Sequence, residues 1–501
     1  MNVRDIATWI PWSCSFTALL SVPLQGMGQL MLDPSFSPQL LQQVTHVRDV
    51  MPIPDGRTVI VEFWEGGLGE AQFYNELACL HGDGSRDTGY AQLGGVYALL
   101  PWNEGAFYMW RGYYPNYVQR YHVANGMVDP AFQVATNAWP GRYRIDDLQN
   151  VSVDGEGRIY LVGWIRLLNE AQEVIATRDL VRLDVHGDLD TTFTPASSPY
   201  LSAVFPMPDG RVLLSGNQGS YNGIPVPRIF MVHDDGTIDT GFSTGFMRAN
   251  TQCVLPLPDG SLIATGSFIN FISLIELDTA NVVRLLPSGA QDLAFASDLR
   301  AYQEWNSGYY TMVNSIVEWG QDRYLISGNF DLVNGLPKRG LAMLDANGVL
   351  IPEECDWPGP GAVDGQVWLN LVKDGEGAVF AHGTFDGFDD GTTIRATKGL
   401  ARFINGPVGL PEGSAMDASG VRVFPVPAQE QVTIQGSGEW QRTIRRVDLL
   451  DASGRITRAL VANGTEAALR VDLRGLAPGS YLVRIMIDEA TVHYHKILVV
   501  P

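Results

Sequence analysis

Between residues 204 and 242 the chain alternates short apolar runs with polar turns. Val204–Met207 is apolar, Asp209-Gly210 interrupts it, and Arg211–Ser215 is a second run. Asn222-Gly223 lies in the next connection, Arg228–Val232 is a third run, Asp235-Gly236 a further turn, and Thr237–Phe242 the closing segment. Asp-Gly and Asn-Gly suit tight hairpins because Gly and Asn adopt positive φ at low cost. The pattern predicts four antiparallel strands, and long helices are not expected.

The unit recurs. Pro54-Asp55-Gly56, Pro208-Asp209-Gly210 and Pro258-Asp259-Gly260 mark its turn, with degenerate copies at Asn103-Glu104-Gly105, Gly155-Glu156-Gly157, Gln321-Asp322 and Gly375-Glu376-Gly377. A spacing near fifty residues with about seven copies is the signature of a repeat architecture. Several four-stranded repeats of this length predict a β-propeller, whose radial closure protects sheet edges; a linear solenoid is the alternative.

Each unit closes on Asp-x-x-Phe or a close variant, seen at Asp87–Tyr90, Asp129–Phe132, Asp190–Phe193 and Asp239–Phe242. With the Pro-Asp-Gly turns, this resembles the delta-60 repeat family, which implies a propeller-like array in a bacterial exported protein. The resemblance covers most of residues 29–406, strongly at 204–266 and weakly at 267–315. Leu32-Asp33-Pro34-Ser35-Phe36 reproduces the end of a repeat at the start of this region, whereas the last copy stops at Asn405-Gly406 without one. The N-terminal segment is therefore expected to complete the final blade.

Residues 407–420, rich in Gly, Pro, Ser and Ala, read as a linker. Beyond it, alternating segments at 421–424, 431–435, 444–451, 456–461, 469–473, 481–487 and 496–500 predict a compact, immunoglobulin-like β-sandwich over 421–501. Val423 to Ala428, Val447 to Arg455, Leu473 to Tyr481 and Lys496 to Val500 together resemble the type A C-terminal sorting domain of the type IX secretion system. The motif positions are Pro425, Pro427, Asp451, Gly454, Arg455, Gly479, Tyr481 and Lys496; Val426 departs from the Asn usual in that family. This resemblance implies passage through the outer membrane, loss of the tail, and release or attachment to surface lipopolysaccharide. An ordinary adhesion module is the alternative.

The fold class expected is thus all-β, a roughly seven-bladed propeller followed by a small sandwich. A chain of 501 residues needs more than one ordinary core, which agrees. Composition narrows the partners: the formal net charge is −21 and no cluster of Lys or Arg interrupts it. The counterion release that drives nucleic-acid binding is missing, so DNA and RNA are not expected partners. Residues 1–28 carry Arg4, an apolar stretch and Gly26-Met27-Gly28, and read as a secretory signal peptide. No transmembrane span is expected in the mature chain. Cys14 would leave with the signal, and Cys79, Cys253 and Cys355 read as buried structural residues.

Catalytic signatures such as Gly-x-Ser-x-Gly, Gly-x-x-x-x-Gly-Lys and His-Glu-x-x-His do not occur. Most Asp residues occupy turn positions, where they cap backbone groups. His493 with His495 could face one metal from a strand, and Asp386, Asp389 and Asp390 beside Gly391 could hold calcium, but a place inside the sorting domain and a solvated blade loop are the readings expected. Neither a metal nor a cofactor is expected. The aromatic clusters around Trp110, Tyr113 and Tyr114 and around Trp305, Tyr309 and Tyr310 are candidate ligand contacts if exposed, and packing between blades otherwise. The expected function is a non-enzymatic binding or scaffold propeller, exported with the type IX machinery as partner and a glycan or protein as surface ligand. A secreted polysaccharide hydrolase or lyase with its site in the central cleft is the alternative.

Overall fold

The computed structural model describes residues 30–66, 72–112, 117–132, 143–273, 276–296, 299, 301–302, 312–320, 323–352, 354–355, 357–363, 367–389, 394–405, 421–424, 431–436, 445–450, 456–461, 469–476, 479–486 and 492–499. All its regular elements are β-strands. The chain divides into two compact units, Met1–Asn405 and Gly406–Pro501.

Among the described residues of the first unit, seven main antiparallel sheets follow one another along the sequence. The first three are His46–Pro52, Thr58–Gly66 and Gln72–Leu80; Val96–Pro101, Ala106–Arg111 and Tyr117–His122; and Tyr143–Val153, Ile159–Leu168 and Val174–Leu183. The fourth is Leu201–Pro206, Val212–Gly216, Ile229–Val232 and Ile238–Ser243, and the fifth Arg248–Pro256, Leu262–Ser273 and Glu276–Leu285. Val313–Glu318, Arg323–Gly328 and Leu341–Asp345 make the sixth; Trp368–Lys373, Val379–Asp389 and Ile394–Asn405 are the body of the seventh. Shorter strands pair beside the fourth and sixth sheets.

Apolar side chains from neighbouring sheets form a cluster at every seam, the last of which joins the seventh sheet to the first through Phe380, Leu400, Val47 and Ile60. The leading strand of each sheet lies innermost, beside its counterparts on either side. The ring is closed by Leu30–Leu32, which pairs antiparallel with Phe403, Ile404 and Asn405. An N-terminal strand thus becomes the outermost strand of the last sheet, as the stranded Leu32-to-Phe36 motif anticipates.

A fourth full strand per repeat was expected, and the structure departs from this. Among the described residues the fourth sheet has one from its own repeat and the seventh takes Leu30–Leu32; in the other five sheets the closing segment is reduced to an isolated bridge, as in Leu80↔Arg86, Leu183↔Leu189 and Leu285↔Gln291. In Asp87, Asp129, Asp190 and Asp292 one carboxylate oxygen accepts the N–H two residues on, and Asp239 does the same within the fourth sheet's closing strand. The aromatic residue three positions after the Asp then plugs the seam to the next sheet: Tyr90, Phe132, Phe193 and Phe295 are all buried there. Phe36 does the same at the closing seam.

The second carboxylate oxygen takes an arginine, and the source of that arginine alternates. In four sheets it comes from the third strand, giving Arg120–Asp129, Arg182–Asp190, Arg284–Asp292 and Arg402–Asp33. Where that strand position holds Cys79, Met231 or Met343, the arginine follows the hairpin turn instead: Arg57–Asp87, Arg211–Asp239 and Arg323–Glu354. One cation per sheet is thus kept in place while its position in the sequence shifts by about twenty residues, and this makes the repeat look more degenerate than it is.

Cys79 and Cys355 are free and buried, and burial pushes the Cys79 thiol up to about 12. Cys253 is buried and disulfide-bonded. The segment expected to be a signal lies outside the described residues.

The second unit holds two sheets, Val421–Phe424, Gln431–Gly436 and Leu469–Asp472 in one, and Ile456–Val461, Arg446–Leu450, Gly479–Met486 and Val492–Val499 in the other. Their inner faces share a core of Val432, Ile434, Val447, Leu449, Val483 and Ile485. On the opposite face Asp448 is fully buried between Arg446 and Arg484.

Candidate functional site

The Asp-Gly turns lie at one end of each inner strand. At the other end, six of the inner strands carry a one-residue bulge, at Arg48, Tyr97, Gln149, Ser202, Gln252 and Asn314. A bulge bends the strand and re-aims the extra side chain, and such positions concentrate beside binding sites. Opposite the bulge, four sheets place a glycine, Gly163, Gly216, Gly266 and Gly328, and the seventh sheet, whose inner strand runs without a bulge, places Gly383 opposite Leu369. An added Cβ would sit 1.9 Å from the Asn250 carbonyl oxygen at Gly266 and 1.9 Å from that of Trp368 at Gly383, with φ of +148° and +142°. No side chain fits there. In the first two sheets the position holds Glu62 and Arg111 instead, so this end of the ring is built differently where they meet.

At that place Arg48 and Tyr97, the bulge residues of adjacent inner strands, touch. The Arg48 guanidinium lies 4.6 Å from the Tyr97 ring centroid, and its Nε donates to the Tyr97 carbonyl oxygen at 3.0 Å. Burial lowers the Arg48 pKa, against the opposing pull of Tyr97 and Asp49. Its sequence neighbour Asp49 faces elsewhere: Oδ2 accepts the Leu99 N–H at 2.6 Å and Oδ1 that of Val50 at 2.7 Å. Burial raises the Asp49 pKa well above the usual carboxylate range, against the opposing pull of these two donors. The residue one past the bulge is a latch to the next sheet, and Asn150 and Ser315 repeat it on the N–H groups of Val204 and Leu371.

Two histidines flank the seam between the first and seventh sheets. His382 Nδ1 lies 3.4 Å from the Val47 carbonyl oxygen, and His46 stacks on Phe63 with centroids 4.2 Å apart. Burial lowers His382 to about 4; burial, then Arg48 and His382, lowers His46 to about 3. Both are neutral at pH 7.

Of the aromatic candidates, Trp110 is 3% exposed, tilted against Tyr97 and packed into the seam between the second and third sheets. Tyr113, Tyr114, Trp305, Tyr309 and Tyr310 lie outside the described residues. Exposed rings occur elsewhere: Trp164 is 55% and Tyr200 79% exposed, and Tyr74 stacks flat on Trp64. Among the described residues no three His, Cys, Asp or Glu side chains converge as a metal site. Asp390 and Gly391 fall outside them, as do Pro425, Pro427, Asp451, Gly454 and Arg455 of the tail motif. Gly479, Tyr481 and Lys496 lie on the paired strands Gly479–Met486 and Val492–Val499.

The bulge residues escaped the sequence reading. Their signal was there: apolar neighbours repeat at this position of each copy while the residue itself changes from Arg to Tyr, Gln, Ser and Asn.

The protein is a β-propeller carrying a type IX sorting tail, and such a tail marks proteins secreted or attached to the outer surface through that system. Residues 422–500 match the family described as "Secretion system C-terminal sorting domain", and residues 208–242 match "Domain of unknown function (DUF5122) beta-propeller". No curated protein matches the chain. Among solved structures, the extracellular domain of what is described as a one component system from B. thetaiotaomicron is 10% identical over 95% of this chain, with a TM-score of 0.35. This chain spans 58% of that protein's length. A protein of unknown function from Dyadobacter fermentans is 12% identical, covering 75% of this chain and 98% of its own, with a TM-score of 0.28. Penicillium chrysogenum alpha-L-arabinanase is 11% identical over 76% of this chain and 99% of its own, with a TM-score of 0.25. At such scores these likenesses carry no argument about activity.

Proposed function

We propose that the protein is a binding or scaffold propeller displayed at or released from the cell surface. Its leader is residues 1–28, its propeller 29–406, its linker 407–420 and its sorting domain 421–501. The observation that carries the reading is the pairing of a sorting tail with a propeller whose bulge residues are neutral hydrogen-bonding groups and one cation. Glycan-cleaving chemistry calls for two carboxyl groups at a spacing that admits the bond or a water. Asp49 is desolvated, yet each of its oxygens already accepts a backbone N–H, which suits a latch better than a proton donor.

Deleting residues 421–501 tests export. The truncated chain is expected to stay in the periplasm with its propeller folded, since the two units have separate cores. Truncated protein found outside the cell at normal levels would overturn the sorting role. A glycan and protein array probed with the full chain tests binding.

A further inference from the structure

We propose that the propeller parts at its closing seam, between the seventh and first sheets, and that the Val50 N–H is the switch. Held by Asp49, this donor leaves the seam unlatched; passed to Asn370, it locks the ring.

The neighbouring seam shows what a locked joint contains. Ser327, the residue before Gly328, stands opposite Ser315 on the sixth sheet. Ser327 Oγ donates to the Leu369 carbonyl oxygen at 3.1 Å, and Ser315 Oγ accepts the Leu371 N–H at 2.7 Å. On the seventh sheet His382, the residue before Gly383, stands opposite Asn370 in the same way. Across from them the Arg48 bulge adds one residue, so Val47 and Val50 of the first sheet correspond to Leu369 and Leu371. Half of the joint is made: His382 Nδ1 lies 3.4 Å from the Val47 carbonyl oxygen. The other half is not. The Val50 N–H goes to Asp49 Oδ1 at 2.7 Å, and Asn370, only 4% exposed, has an Oδ1 without a hydrogen-bond partner.

A buried amide oxygen left unpaired costs stability, and native structures keep few of them. Asn75 Oδ1 and Thr265 Oγ1 are also buried and unpaired; Asn370 differs because the donor its position calls for is identified and is held by a rival acceptor. Two acceptors for one donor give two discrete arrangements, which is what a bistable joint requires. The rival holds on through its charge: a carboxylate at Asp49 serves Val50 with one oxygen and Leu99 with the other, whereas a neutral amide there keeps a single acceptor. Other features leave this seam free to part. Its buried apolar cluster is the smallest of the seven among the described residues, and the strand that ties it, Leu30–Leu32, is three residues long.

Hydrogen–deuterium exchange of the full chain, read by peptide mass spectrometry at pH 7, tests the switch. Residues 46–52 should exchange about tenfold faster than the inner strands 201–206 and 313–318. Asp49→Asn keeps an acceptor for Leu99 and none for Val50, and should slow 46–52 by about tenfold. Asn370→Ala should leave the wild-type rate unchanged and abolish the slowing in Asp49→Asn. If Asp49→Asn does not fold, Asp49→Ala makes the same transfer with the residue that Ala98 and Ala203 supply at this place in the second and fourth sheets. Exchange at 46–52 as slow as in the other inner strands, or Asn370→Ala acting alike in both backgrounds, overturns the proposal.

Discussion

The two ends of the propeller follow opposite rules. At the turn end every sheet repeats the same assembly, an acidic residue and an arginine with an aromatic ring three positions on, buried in all but the sixth sheet, where Trp357 is partly buried, and where a strand loses its arginine the hairpin provides one. At the mouth six sheets repeat the bulge, four of them with a facing glycine, but the bulge side chain varies among Arg, Tyr, Gln, Ser and Asn. Repetition within one chain marks what each seam needs to pack. Variation marks positions released from that need, and these are where recognition can reside.

The largest effect is expected where the mouth framework is steric. Gly383→Ala puts a Cβ 1.9 Å from a backbone oxygen at positive φ, and should cost about 3 kcal/mol or more in denaturant unfolding. Gly210→Ala, whose Cβ meets nothing within 4 Å at φ +86°, should cost about 1–2 kcal/mol. Equal losses would mean that φ alone, and not close approach, fixes the facing glycine.

The turn-end rule is tested by moving its arginine. Arg211→Ser should lower stability by about 1–2 kcal/mol, discounted for partial exposure. Adding Met231→Arg, which restores the third-strand source, should recover more than half of that loss. A double variant less stable than the single would show that the two sources are not equivalent.

A smaller effect separates the closing seam from the rest. His46 and His382 have native pKa values lowered to about 3 and 4, below the unfolded value near 6.5. Their contribution is therefore complete above about pH 6.5 and is lost progressively as pH falls toward 4. Asp49 has the opposite sign: its raised pKa favours the fold at low pH and costs stability as pH rises. Chemical denaturation across pH 4–7 should show a falling limb that flattens in His382→Gln, and Asp49→Asn, which copies Asn150, should gain stability at neutral pH. An unchanged acid limb in His382→Gln would remove the seam from the pH response.

The smallest change is expected at an exposed ring. Trp164→Ala should alter stability by less than about 0.5 kcal/mol. A larger loss would place that side chain in the framework.

Local chemistry made the strands, the turns and the closing segments legible: Asp209-Gly210 terminates a run wherever the chain folds, and seven segments of the tail alternated clearly enough to be placed within a few residues. The same Asp residues that announce each repeat also accept the N–H two residues on, both where the closing segment is a bridge and in the fourth sheet where it is a strand, so the side chain alone does not decide its length. What the sequence concealed was set by distant neighbours. Whether a sheet draws its arginine from after the hairpin, as with Arg57, or from its third strand, as with Arg120, depends on what stands about twenty residues away, and Asp49 answers the Leu99 N–H on a strand fifty residues on. Trp110 shows the limit for aromatics: composition marks the cluster, and only packing tells a buried ring from an offered one.

The closing contact joins Asp33 to Arg402, 369 positions apart. A chain that emerges amino-terminus first carries its own fastener from the outset and has nothing to fasten it to until nearly the whole unit has followed. Until then Leu30–Leu32 and the growing stack keep open edges, and contacts so remote in sequence form late. Chain length itself then works as a delay, leaving the ring ajar until the last strand arrives to latch it.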